Sequence, residues 1–295
     1  MGALVELWTS VFEAPAEVFT CEYKSFTPEN RKTFVADSDG RLVGSVQLFG
    51  IPVYDEHKAP VMMGGIANVS TLPEFRSSKI ATNLLKAAIE EMQAREYGWS
   101  MLLTGKHSFY EPLGWRTVHR SYLQAQIDPS ALPDTQIEVV LDTGPDLIRL
   151  RSIYECSFKT PLSRIRTDLD WAIRIPERIK TKAVFMSADS YVIAREYESK
   201  VYVEEWGMPN RSVEAFLELL LAVTRWAVAR GIRTLVVSAP IRAEARHAYE
   251  TLFQDVESIE ETEAMVRPIS PDWPMSRLLS LFLLPRGRFF RMDNF

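Results

Sequence analysis

The sequence predicts an α+β protein of two tandem lobes, each a mixed, twisted sheet flanked by helices. Three observations predict it. Val61–Thr71, the loop 72–80, the helix-spaced run 81–92 and Ser100–Thr104 form a strand–loop–helix–strand order, a βαβ unit. The second half repeats that order with Val201–Trp206, the run 213–228 and Thr234–Val237. A tyrosine motif then follows in both halves, Tyr110-Glu-Pro-Leu113 and Tyr249-Glu-Thr-Leu252. Such self-similarity points to a duplication. A length of 295 residues agrees, at about 150 residues per domain.

Each element has a local reason. Thr33–Ala36, the turn residues Asp37-Ser-Asp-Gly40 and Arg41–Leu48 read as a hairpin. A loop with Pro52, Asp55, Glu56 and His57 follows. Val61–Thr71 is a strand interrupted by Gly64-Gly65, and glycines inside a strand mark a bulge or a close backbone approach. Apolar residues at 81, 84, 85, 88, 89 and 92 lie on one helical face, and Gly98 ends that helix. In the second half, positions 213, 216, 217, 220, 227 and 228 define the helix, and Gly231 ends it. Turn residues cluster at 128–134 and 142–145. That places the boundary between lobes of residues 1–135 and 136–295.

Composition narrows the function. Thirty-four basic against 39 acidic residues give a net charge of −5, with no electrostatic reason to expect nucleic acid. Two distant cysteines, Cys21 and Cys156, and four scattered histidines suit neither a disulfide framework nor a zinc site. No run approaches the ~18 apolar residues of a membrane span. The start lacks the cationic region of a signal peptide. The expectation is a soluble, cytoplasmic protein with no metal and no membrane partner, and a homo-oligomer is left open.

The informative stretch is Val69-Ser-Thr-Leu-Pro-Glu-Phe-Arg76-Ser-Ser-Lys-Ile-Ala81-Thr82. A strand enters a loop of small and basic residues that opens a helix. The first N–H groups of a helix lack intrahelical partners, and the helix dipole favours negative charge there. A pyrophosphate suits that end. Ser77, Ser78 and Thr82 add hydroxyls, and Arg76 and Lys79 add charge. On composition alone a plain helix capped by Ser77 or Ser78 stays open.

This stretch resembles the acetyl-CoA loop of the GNAT N-acetyltransferase superfamily, R/Q-x-x-G-x-G/A. Arg76 and Ala81 fill its ends, and Lys79 stands at its middle glycine, where it is expected to take a helical φ. The second motif, Phe109-Tyr110-Glu-Pro-Leu-Gly-Trp115, resembles the segment that carries the superfamily's general acid. The order of the two motifs resembles the enhanced-intracellular-survival (Eis) group, which pairs an active first lobe with a degenerate second one. That group also has a sterol-carrier-like domain, which the resemblance does not reach.

The resemblance implies direct acetyl transfer to a primary amine of a small molecule or a lysine. Acetyl-CoA is the acyl donor, held by Val69, Ser70, Thr71, Arg76, Ser77, Ser78, Lys79, Ile80, Ala81 and Thr82. Tyr110 is the general acid, and the terminal carboxylate of Phe295 is the proton acceptor. The alternative is a non-catalytic acyl-CoA-binding or scaffolding protein. The second lobe has only the short loop Gly207–Ser212, where Asn210 or Ser212 reads as an N-cap, and Tyr249 reads as structural. Tyr191, Tyr197, Tyr202, Trp206 and Trp226 read as core and interface. The tail, with Phe289, Phe290 and Phe295, is expected to dock, since three phenylalanines are costly in water.

Overall fold

A computed structural model describes residues 1–209, 212–237, 249, 250, 252, 253, 255–283 and 293. Two helices, α1 (Gly2–Phe12) and α2 (Ala16–Lys24), precede a sheet that begins with β1 (Arg31–Ser38), β2 (Arg41–Tyr54) and β3 (Pro60–Thr71). Helix α3 (Ile80–Ala94) crosses from β3 to β4 (Trp99–Leu103). The short α4 (His107–Tyr110), β5 (Arg116–Thr117) and β6 (Arg120–Gln126) follow. The second half holds β7 (Val140–Asp142), α5 (Leu147–Ser157), a π-helical turn Asp170–Arg174 and α6 (Ile175–Ile179). It continues with β8 (Ala183–Met186), β9 (Tyr191–Tyr197), β10 (Lys200–Gly207), α7 (Val213–Ala229) and β11 (Thr234–Val237). The last described elements are β12 (Val256–Glu261), β13 (Ala264–Pro268) and α8 (Met275–Leu283).

The strands form two sheets, in the orders β1-β2-β3-β4-β13-β5 and β12-β6-β11-β10-β9-β8-β7. A division at residue 135 does not divide the sheets. β6 leaves the first half to pair with β11 and β12, and β13 returns from the second half to sit between β4 and β5.

Alternation along β2 explains the packing of the first sheet. Val46 and Leu48 face α3, in a core with Ile66, Leu85, Ala88 and Met92. Val43 meets Trp8 and Phe19 of α1 and α2 on the other face. Phe49, on that same face, stacks on Phe26 with centroids 4.3 Å apart. Gly64 keeps regular register, opposite Gly50 and Ser100. Its role is the close approach of α3: a Cβ there would lie 2.1 Å from Met92 Sδ. Helix α3 stops at Ala94, before Gly98, because Glu96 already turns the chain with φ +55°.

The halves meet where residues 162–165 run along the end of β2. Tyr54 N–H donates to Ser163 O at 3.0 Å, and Ile165 N–H to Pro52 O at 2.8 Å. Behind this seam lies a buried ionic network. Arg166 donates to Glu205 at 3.1 Å and to Asp293 Oδ1 at 2.9 Å, and Arg164 donates to Asp170 at 2.5 Å. Breaking such a pair from one side costs about 3–5 kcal/mol. Asp293 is thus a fully buried point of the C-terminal tail. Phe289, Phe290 and Phe295 lie outside the described residues. Tyr191 and Trp206 are core residues as the pattern asks, but Tyr197 is 48% exposed and stands outside it. No helix among the described residues is long and apolar enough to cross a membrane.

Candidate active site

The site begins where two strands part. β3 and β4 pair in parallel only at Met63–Trp99, Gly64–Ser100 and Gly65–Met101. β3 then continues to Thr71 without β4, which turns to β13 through Leu103 opposite Ala264. Beyond Gly65 the β4-facing edge of β3 is left open. On the β2 side the register slips: Ser45 opposes Ser70 and Gln47 opposes Ala67, so Asn68 and Val69 together oppose one residue. This is a β-bulge. Asn68 takes φ +48°. Its carbonyl accepts from Ser45 Oγ at 3.2 Å, and Ser45 Oγ accepts from Trp8 Nε1 at 2.8 Å.

Val69, Ser70 and Thr71 form the strand end past the bulge. Ser70 is buried with its Oγ 2.9 Å from Ser45 Oγ. Thr71 O accepts from Arg76 Nε at 3.4 Å. Arg76, Ser77, Ser78 and Lys79 are exposed, while Ile80, Ala81 and Thr82 are half-buried in the first turn of α3. Lys79 does not take a helical φ. It is the N-cap of α3 in the left-handed region, at φ +62° and ψ 15°, and Ser77 is also left-handed at +67°. A lysine thus occupies glycine's conformation, at a cost on the order of 1 kcal/mol or more. Neither serine caps the helix. Ser78 Oγ donates back to Phe75 O, and among the described residues no side chain bonds the first N–H groups of α3. The positive end of a fifteen-residue helix is open beside two cations.

Tyr110 ends α4, on the α3 face of the sheet. It packs edge-on to Trp115 with centroids 6.1 Å apart, and to Phe109 at 4.8 Å. Burial pushes its hydroxyl up to about 12, so it stays protonated through neutral pH. No described residue hydrogen-bonds that hydroxyl. In the second lobe Tyr249 is wholly buried, and its hydroxyl donates to Leu123 O at 3.4 Å and Leu235 O at 3.3 Å.

A cavity of about 460 Å³ opens on the other face of the sheet, lined by Phe19, Cys21, Glu22, Phe49, Asn68 and Arg178 among others. Asn68 joins it to the bulge. Burial raises the Glu22 carboxyl, but Arg174 at 2.8 Å and Arg178 at 2.6 Å outweigh that and hold it below the usual carboxylate range. Sequence reasoning missed this wall, because it comes from α2 and α6, which share no motif. Phe19 and Glu22, three apart on α2, are the one pattern that marks its two sides.

Residues 1–118 match the family model of an acetyltransferase (GNAT) domain. This part of the chain is similar to the GNAT acetyltransferases, whose chemistry is acyl transfer. The rest of the fold agrees. A probable N-acyltransferase of Enterococcus faecalis V583 is similar at a TM-score of 0.67 and 15% identity, covering 91% of this chain and 70% of that one. Eis1 of Mycobacterium abscessus is similar at 0.65 and 15%, covering 90% and 70%. A GCN5-related N-acetyltransferase of Kribbella flavida is similar at 0.67 and 17%, covering 90% and 68%. At these identities the likeness shows the fold alone. No curated protein matches the sequence.

Proposed function

We propose that this protein is an acetyl-CoA-dependent N-acetyltransferase that transfers acetyl directly to a primary amine. The observation that carries the reading is the opening between β3 and β4. The open edge of β3 from Ile66 to Thr71 offers backbone N–H and C=O groups to an extended amide chain such as pantetheine. The uncapped start of α3, with Arg76 and Lys79, suits the pyrophosphate. A backbone N–H at the bulge polarises the thioester carbonyl, as in an oxyanion hole. The acceptor enters through the cavity on the opposite face, and the two substrates meet at the bulge.

The proton balance is simple. The amine nitrogen, neutral when it attacks, bonds to the acyl carbon, and the C–S bond breaks. Tyr110 gives its proton to the leaving sulfur. The resemblance assigns the amine's proton to the terminal carboxylate of Phe295. Appending two glycines after Phe295 moves that carboxylate; unchanged turnover and pH profile would exclude it as the base. The reading as a whole is tested by free-thiol release from acetyl-CoA with a panel of primary amines. Binding of acetyl-CoA with no amine-dependent release would leave an acyl-CoA-binding protein instead.

A further inference from the structure

Gln47 sits in the middle of β2 between Val46 and Leu48 and is 1% exposed. A carboxamide in such a place is unfavourable unless both its ends are bonded. Both are. Gln47 Nε2 donates to Thr33 Oγ1 at 3.3 Å, and Gln47 Oε1 accepts from Asn68 Nδ2 at 2.5 Å. A polar row therefore crosses three strands, from β1 through β2 to the bulge of β3. The Asn68 backbone is fixed separately by Ser45 and Trp8. Its left-handed φ is one that asparagine tolerates better than most residues. With Nδ2 committed to Gln47, the oxygen Oδ1 remains, and no described residue donates to it. Asn68 lines the 460 Å³ cavity.

We infer that Asn68 Oδ1 accepts an N–H of the acceptor amine at the bulge, and that Gln47 is a positioning residue that holds the carboxamide in that orientation. The inference rests on the acyltransferase reading above and adds the residue that orients the nucleophile. An amide oxygen is too weak a base to take the amine's proton. It aligns the nitrogen, whose lone pair attacks while its proton leaves to another acceptor. The Thr33–Gln47–Asn68 row is thus explained by a ligand: packing alone would be served by apolar residues at 47.

The test uses the full chain with ethanolamine, spermidine and Nα-acetyllysine amide as acceptors. Asn68→Gly suits the left-handed φ and removes only the carboxamide. It should raise the acceptor KM about fivefold to tenfold, the worth of one hydrogen bond. The acetyl-CoA KM should rise by less than the acceptor KM, because the substitution leaves the backbone N–H and C=O groups of the bulge in place. Gln47→Leu should raise the same acceptor KM by less, and the double variant should be no worse than Asn68→Gly. An acceptor KM within about twofold of wild type, or an equal rise in the acetyl-CoA KM, overturns the inference. If the wild type acetylates none of the three amines, the functional reading fails, and calorimetric binding of spermidine decides the inference separately. Weaker binding to Asn68→Gly supports it. Equal binding, or no binding to the wild type, overturns it.

Discussion

At the start of α3 no side chain caps the helix, and two left-handed residues hold the loop 72–79 open. At the start of α7, Ser212 closes the helix by accepting from Ala215 N–H at 3.3 Å. The crossover is otherwise the same. β10 and β11 are parallel, as β3 and β4 are, and β10 also carries an extra residue, between Val203 and Glu205. The tyrosines diverge in the same sense. Tyr110 keeps a hydroxyl that no described residue bonds, while Tyr249 spends its own on two backbone carbonyls. What packing needs is present in both units: strand, bulge, helix and aromatic anchor. The open helix start that the proposed acetyl-CoA site would use belongs to α3, whereas Ser212 caps α7. A duplicated unit keeps its core under selection for folding, and its site survives only under selection for chemistry.

The sharpest way to break this comparison is at the tyrosines. Tyr110→Phe should lower turnover roughly 10²–10⁴-fold, the range of a general acid, with little change in acetyl-CoA affinity. Tyr249→Phe should leave turnover nearly intact and lower Tm, since it strips a donor from two buried carbonyls. Equal losses in turnover would mean that the units are not functionally distinct. Next is the donor itself. Calorimetry should find one acetyl-CoA per chain, and reversing both Arg76 and Lys79 to Glu should weaken it by about tenfold or more, given ~1.5–3 kcal/mol for a charge-assisted hydrogen bond. Two equivalent sites would sink the claim.

The helix starts give a smaller contrast. Ser212→Ala should cost about 1 kcal/mol of stability, the worth of a cap. Lys79→Gly should instead gain up to about 1 kcal/mol, because glycine enters the left-handed region freely. Both are read as shifts in denaturation midpoint. A loss at Lys79 would show that the lysine holds its turn by something other than strain. The smallest effect concerns Glu22 beside the cavity. Its carboxyl is held low by Arg174 and Arg178, so its ionised form stabilises the fold above the ordinary carboxylate range. That contribution should fade as pH falls below about 4.5 and on through the lowered folded value. Glu22→Gln should flatten this part of the Tm profile.

Much of the first lobe was legible because its signals are local. The hairpin around Asp37–Gly40, the run of α3 and the Arg76–Ala81 loop each follow from residues close in sequence, but Pro52, read as loop, lies within β2 opposite Met62. Lys79 shows the limit. Its place in the motif was legible, but its φ was not, since a glycine position asks for a conformation that lysine's side chain resists. Gly64-Gly65 left a bulge or a close approach open; the close approach is what formed there, and the bulge lies at Asn68, where Ser45 and Gln47 from the neighbouring strand can hold it. Such a brace is non-local and leaves no periodicity. The same holds for Glu22, which reaches its arginines more than 150 residues away. Two strands escaped for another reason: nothing in β6 or β13 says to which sheet its edges will bond.

That exchange of strands constrains how the chain can be made. β4 has its second neighbour only when residues 264–268 arrive, long after β4 itself has been made. Until then the strand that leads to Tyr110 carries an exposed, unsatisfied backbone edge, with buried residues such as Met101 and Leu102 uncovered on its faces. β6, for its part, waits for β11 and β12. The usual vectorial order, with a first domain completed as it leaves the ribosome, is therefore closed to this protein. The nascent first half must be kept from aggregating until β13 threads home, and neither half expressed alone has a complete sheet to fold into.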